Sequence, residues 1–128
     1  MVNGRLSHIE LFAFDHEPST DRHLRPGSLY LLLKLTCGEC ACYGQCVILP
    51  DDGVFDLTKW GAYLRCIRHS TAQEILQTVT LQEHEWTTGQ RVLLHSALSA
   101  LLQDTNTAAA LPLSVLFGES VSYYSILT

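Results

Sequence analysis

The sequence predicts an α+β domain, with β-strands in its first half and α-helices in its second half. Strand-like apolar stretches come before residue 50, and apolar residues recur at helical spacing between residues 57 and 102. The 128 residues are 47% hydrophobic, which suffices for one core but not comfortably for two. We therefore expect a single domain over residues 1–128, built as a three-stranded antiparallel meander followed by a bundle of three to four helices.

Three strands are predicted in the first half. In the first, Leu6–Phe14, Ile9 and Leu11 alternate with neighbours such as His8 and Glu10, a pattern typical of a half-buried strand. The others are Leu29–Thr36 and Ala41–Leu49, the latter ending at Pro50. Polar segments with Pro and Gly follow the first and third strands, which predicts loops there.

Three helices are predicted in the second half. The first covers Leu57–Arg68 and has Asp56 as its N-cap. The second begins near Ser70 or Thr71, where Thr71 and Glu74 form a capping-box pattern. The third begins after Thr87 and Thr88, and its wide apolar stripe indicates the most buried helix: Leu93, Leu94, Ala97, Leu98, Leu101 and Leu102.

Composition and charge exclude several classes of protein. The formal charge of −5 argues against a general nucleic-acid-binding protein. The longest apolar run, Leu29–Leu33, is too short to span a bilayer, so no membrane partner is expected. The first residues show no secretory signal, which predicts a cytoplasmic protein with reduced thiols.

Four of the five cysteines lie within ten residues, in the segment CGECACYGQC. Cys37-x₂-Cys40 resembles half of a zinc site, but a second pair normally comes from another hairpin or helix. Cys42 and Cys46 alone are separated by about 13 Å along a strand, too far for one tetrahedral metal site. We interpret Cys37, Cys40, Cys42 and Cys46 mainly as small buried apolar residues and expect no metal and no cofactor.

The layout resembles the N-terminal capping domain of the enolase superfamily, in its muconate-lactonizing and mandelate-racemase branch. That family commonly has Gly-aromatic-Gly-Glu on its third strand, where this chain has Tyr43-Gly44-Gln45 after Gly38. Its long helix commonly ends in ALWDlkgKalglPl..LLGG, where residues 100–119 read ALLQDTNTAAALPLSVLFGE. The matching residues are Ala100, Leu101, Leu111, Pro112, Leu113, Leu116 and Gly118.

The resemblance also shows what this chain lacks. Gln45, Leu102, Gln103 and Thr107 replace the usual Glu, Trp, Asp and Lys. The family's catalytic bases and Mg²⁺ carboxylates belong to a second, (β/α)₈-barrel domain that this chain does not contain. The two lysines, Lys34 and Lys59, do not replace those bases, so we do not expect enolase-type catalysis.

In the resembled family, two polar loops fold over the barrel mouth and select the substrate. Here they correspond to Ser19–Gly27 and Asp51–Phe55. The resemblance thus makes these charged loop residues candidates for contacting a ligand or partner: Asp21, Arg22, His23, Arg25, Asp51 and Asp52.

The last dozen residues hold a run of large apolar side chains that a barrel would cover in the full family enzyme. They are the candidate interface: Phe117, Tyr123, Tyr124, Ile126 and Leu127. We expect a stand-alone, non-catalytic cap-like module that binds a second copy of itself, as a dimer, or a separate barrel-domain protein. Two alternatives are a divergent small enzyme or small-molecule-binding protein that uses the sheet–helix cleft and the 19–27 and 51–55 loops, and a truncated piece of a longer enolase-superfamily enzyme.

Overall fold

The structure is a computed structural model that describes residues 4–17, 22–23, 25–38, 40–50, 56–82, 87–102, 116–118 and 120–127. Its main element is an antiparallel sheet of four strands: β1 (His8–Phe14), β4 (Leu29–Cys37), β5 (Cys40–Ile48) and β6 (Ser122–Leu127). Their order in the sheet is β5-β4-β1-β6. A separate two-stranded ribbon pairs β2 (His16–Glu17) with β3 (Arg22–His23).

The helices follow β5. They are α1 (Leu57–Ala62), a 3₁₀ helix (Tyr63–Ile67), α2 (Ala72–Gln82) and α3 (Thr88–Leu102). The side chain of Asp56 accepts from the backbone N–H groups of Thr58 and Lys59, as an N-cap does. The backbone N–H of Glu74 donates to Thr71 Oγ1 at 3.2 Å, as a capping box requires.

The sheet has two different faces. The helix face packs under the helices and carries most of the core, including Ile9, Leu33 and Ile126. The opposite face, here called the aromatic face, carries a second buried cluster: Phe12, Phe14, Tyr30, Leu32, Tyr43 and Leu116. Because side chains alternate along a strand, β1, β4 and β5 each contribute residues to both clusters.

The predicted α+β class, the three N-terminal strands and the helical second half are confirmed, with three corrections. The first strand is not half-buried: residues 9–14 are all buried, because both faces of β1 are covered. The sheet has four strands rather than three, because the C-terminal tail pairs antiparallel with β1 from Ala13–Ser122 to His8–Leu127. The first helix also does not stay α-helical to Arg68: it tightens into the 3₁₀ helix at Tyr63, since local periodicity does not separate these two closely related conformations.

A close approach explains one of the glycines in the resembled motif. A Cβ atom built on Gly44 would lie 2.4 Å from the Leu93 carbonyl oxygen and 2.4 Å from the Ala97 nitrogen, both in the backbone of α3. Gly44 therefore lets the longest helix lie directly against β5.

Candidate functional site

The C-terminal strand and the sheet surface beside it form the candidate site. Tyr123 and Tyr124 are adjacent on β6 and point to opposite faces, as the strand prediction implied. The Tyr124 ring fills the space over Gly61 of α1, where an added Cβ would lie 2.3 Å from the ring. The Tyr123 ring lies on the aromatic face, 4.9 Å from the Phe12 centroid and 5.0 Å from that of Phe117.

Three large apolar side chains at this end of the sheet are exposed. Phe117, Val121 and Tyr123 retain 52%, 53% and 40% of their accessible surface. Ile126 instead faces the helices and is buried in the main core. The backbone of Leu127 is the cross-strand neighbour of His8 on β1. Among the predicted interface residues whose side chains the structure describes, Phe117 and Tyr123 are the exposed ones.

A buried carboxylate holds β6 against the sheet. Glu10 lies on the aromatic face with only 6% of its surface exposed, and Tyr123 donates its hydroxyl hydrogen to Glu10 Oε2 at 2.9 Å. Burial raises the pKa of Tyr123, and the bond to Glu10 adds to the rise while a bond to Ser125 opposes it. Tyr123 therefore remains a neutral donor to the carboxylate at physiological pH.

Two nitrogen groups approach the other carboxylate oxygen. Lys34 Nζ lies 3.8 Å and His8 Nδ1 3.4 Å from Glu10 Oε1. The Lys34 ammonium also lies over the Tyr43 ring, 6.0 Å from its centroid. We call His8, Glu10, Lys34 and Tyr123 the polar cluster; in it the lysine offsets the charge of the buried carboxylate.

Sequence reasoning missed the polar cluster because its residues come from three strands. The available signals were a lone Glu in HIELFAF and a lone Lys in LYLLLKLT, since a charge inside an apolar strand needs a partner. The register makes Glu10 and Lys34 direct cross-strand neighbours. Lys34 thus lies on β4 beside Glu10.

Backbone alternation shows which groups of β6 point away from the sheet. The Gln45 N–H on β5 donates to Ser96 Oγ at 3.3 Å and so points away from β4. Leu32 and Gln45 are therefore a non-hydrogen-bonded pair, so the backbone groups of Leu32 point towards β1. Phe12 and Leu32 are then a hydrogen-bonded pair, and Phe12 and Tyr123 are a non-hydrogen-bonded pair. The N–H and C=O groups of Tyr123 and Ser125 are therefore directed outward, away from β1.

The two edges of the sheet thus differ. At β5, Ser96 of α3 satisfies the outward N–H of Gln45. At β6, no strand in the described part of the chain pairs with the outward groups of Tyr123 and Ser125. An open edge is a template for a further strand.

Three of the cysteines lie on the helix face of the sheet. Cys37, Cys42 and Cys46 are buried in the main core, in keeping with their interpretation as small apolar residues. Cys40 is the cross-strand neighbour of Cys37, and its side chain is not among those described. The described residues contain no group of three or more His, Cys, Asp or Glu placed to hold a metal ion.

The predicted loop residues are only partly visible. Arg25 is exposed, and Arg22 and His23 form β3, where only their backbone is described. Asp21, Asp51 and Asp52 lie outside the described residues. The role assigned to these loops therefore stays a prediction.

A shallow groove of about 420 Å³ runs along α2, lined by Leu76, Gln77, Thr80 and Leu81. This described lining has no titratable or nucleophilic side chain suited to catalysis. None of the helices in the described part of the chain combines the length and the apolarity that crossing a membrane requires.

Comparison of the chain with protein-family models, with curated proteins and with solved structures returned no match.

Proposed function

We propose that this chain is a non-catalytic, cap-like binding module and that it binds its partner through the outer edge of β6. The observation that carries the proposal is that no strand among the described residues pairs with the outer edge of β6, whereas at the opposite edge Ser96 of α3 accepts a hydrogen bond from the Gln45 N–H. A strand added beside β6 would take up the outward groups of Tyr123 and Ser125 and would cover exposed aromatic surface.

The surroundings of this edge favour docking. Natural edge strands are commonly protected by charges, prolines or bulges. Residues 120–127, SVSYYSIL, contain no charged residue and no proline. Phe117 and Tyr123 add an exposed aromatic pair beside the strand, a residue type enriched in protein interfaces.

A strand peptide tests this proposal. The probe is a synthetic peptide with the sequence of residues 121–127. The protein is kept at a concentration low enough that it does not associate with itself. We expect the Tyr123 and Ser125 amides to become protected from hydrogen exchange, while the inward-directed Tyr124 amide is protected with or without peptide.

A matched pair of variants controls for the edge. Ser125→Pro removes the outward N–H without removing a bond to β1, whereas Ser125→Ala keeps that N–H. We expect peptide binding to be lost in the first variant and kept in the second. Absence of peptide-induced protection in the natural chain, or equal binding by the two variants, would contradict docking through β6.

A further inference from the structure

We infer that the strand that docks on β6 is the β6 of a second copy, paired antiparallel about a two-fold axis at Ser125. This inference rests on the docking edge proposed above and identifies its occupant and register. The result would be a continuous eight-stranded sheet across the dimer.

The charges near the outer edge of β6 do not oppose pairing with a second copy. A two-fold axis brings each residue near its own equivalent, so a charged residue at the centre would face a like charge. Residues 120–127 carry no charge, and Ser125 is small. The nearby Glu10 carboxylate is offset within its own subunit by Lys34.

Hydrogen bonding selects the register. Outward-directed backbone groups alternate along β6 and belong to Tyr123, Ser125 and Leu127. With the axis at Ser125, each of these three residues would both donate and accept a hydrogen bond. Shifting the axis to Tyr124 leaves only Tyr123 and Ser125 to exchange bonds within the strand. The Ser125 register therefore satisfies more of the edge.

Side-chain pairing favours the same register. With the axis at Ser125, Tyr123 faces Leu127 of the second copy and Tyr124 faces its Ile126. Aromatic residues opposite aliphatic ones are favourable cross-strand pairs. With the axis at Tyr124, the two Tyr124 rings would meet directly beside α1, where each ring already contacts Gly61.

The two-fold axis also keeps equivalent faces on the same side of the joined sheet. The exposed Phe117 and Tyr123 rings of both copies would then lie on one surface near the axis. Uniting two exposed aromatic surfaces in this way adds apolar burial to the backbone pairing.

Opposite charges at Ser125 test the identity of the partner and the register together. Ser125→Lys and Ser125→Glu each place like charges at the proposed axis, so each variant alone should sediment as a monomer of 14.3 kDa. An equimolar mixture should recover a species of twice that mass, because the two variants then present opposite charges to each other. Circular dichroism of each variant checks that it remains folded.

The same pair of changes at Gln77, an exposed residue of α2 remote from the strand, provides the control. Gln77→Lys and Gln77→Glu should each sediment as the natural chain does. Dimers formed by either Ser125 variant alone, or a mixture that remains monomeric, would overturn the inference. If the strand peptide still protects Tyr123 and Ser125 in that case, docking at β6 stands and a second copy is not its partner.

Discussion

At the scale of single residues, the environment of Glu10 explains why β6 stays on the sheet. Its carboxylate accepts a hydrogen bond from Tyr123 and lies beside Lys34 and His8. Glu10 and Tyr123 belong to segments more than a hundred residues apart, so this bond joins the two ends of the described chain. It also places the aromatic ring of Tyr123 beside Phe12 and Phe117.

Tyr123→Phe should lower the free energy of unfolding by about 1 kcal/mol, because it removes the neutral partner of a buried carboxylate at a partly exposed site. Tyr124→Phe is the matched control, since the ring of Tyr124, which the substitution keeps, packs against Gly61 and the main core. We expect the control to change stability by less than about 0.5 kcal/mol. Urea unfolding of both variants measures the difference, and equal stabilities would contradict the role of the Tyr123–Glu10 bond.

Tyr30 makes stability depend on alkaline pH. Burial, with the charges of Glu17 and Cys46 adding to it, raises the pKa of Tyr30 from 10.0 to about 12. Above pH 10 the unfolded chain therefore loses a proton that the folded chain keeps. The stabilisation is present below pH 10 and is lost as the pH rises towards 12, at up to about 1.4 kcal/mol per pH unit.

Tyr30→Phe should make this alkaline decline less steep without removing it, because burial also raises the pKa of Tyr63 and of Tyr123. The variant also loses the hydrogen bond that Tyr30 donates to Gln45, so it should be less stable than the natural chain at pH 7. Denaturant unfolding from pH 7 up to about pH 12, which includes the range in which the stabilisation is lost, measures both effects. Parallel pH profiles for the two proteins would show that Tyr30 does not control the decline.

At the scale of elements, sequence patterns predicted each strand and helix better than they predicted its neighbours. The Asp56 cap and the capping-box bond from the Glu74 N–H to Thr71 are local features, and both occur in the structure. The half-buried pattern predicted for the first strand is wrong, because what covers the second face of β1 is a long-range contact. The pairing of β6 with β1 is a long-range contact, which apolar spacing in the tail does not encode. The polar cluster was missed for the same reason, since its residues meet only when β1, β4 and β6 are aligned.

The contact between α3 and β5 depends on Gly44. Gly44→Ala should destabilise the protein by about 2–3 kcal/mol, because the new Cβ would clash with two backbone atoms of α3 that cannot rotate away. Gly118→Ala is a control, since nothing lies within 4 Å of the corresponding Cβ position. Thermal unfolding measures the effect; similar melting temperatures for the two variants would show that α3 does not lie this close to β5.

At the scale of the whole molecule, the two edges of the sheet have different tasks. At β5, α3 packs against Gly44 and its Ser96 hydroxyl accepts a hydrogen bond from the outward Gln45 N–H. Strand β6 contacts the rest of the domain through the Tyr123–Glu10 hydrogen bond and through the packing of Tyr124 on α1. Its outward backbone groups have no partner strand among the described residues. The proposed docking through β6 rests on this asymmetry and on the exposed aromatic residues beside that strand.

Residue-resolved hydrogen exchange of the natural chain across a range of concentrations tests this central claim most directly. The account predicts that the Tyr123 and Ser125 amides become protected as the concentration rises, because a second β6 then pairs with them, while the Tyr124 amide stays protected throughout. The account would be contradicted if the Tyr123 and Ser125 amides exchanged at the rate of an unstructured peptide at every concentration, and also in the presence of the peptide of residues 121–127, while Tyr124 remained protected.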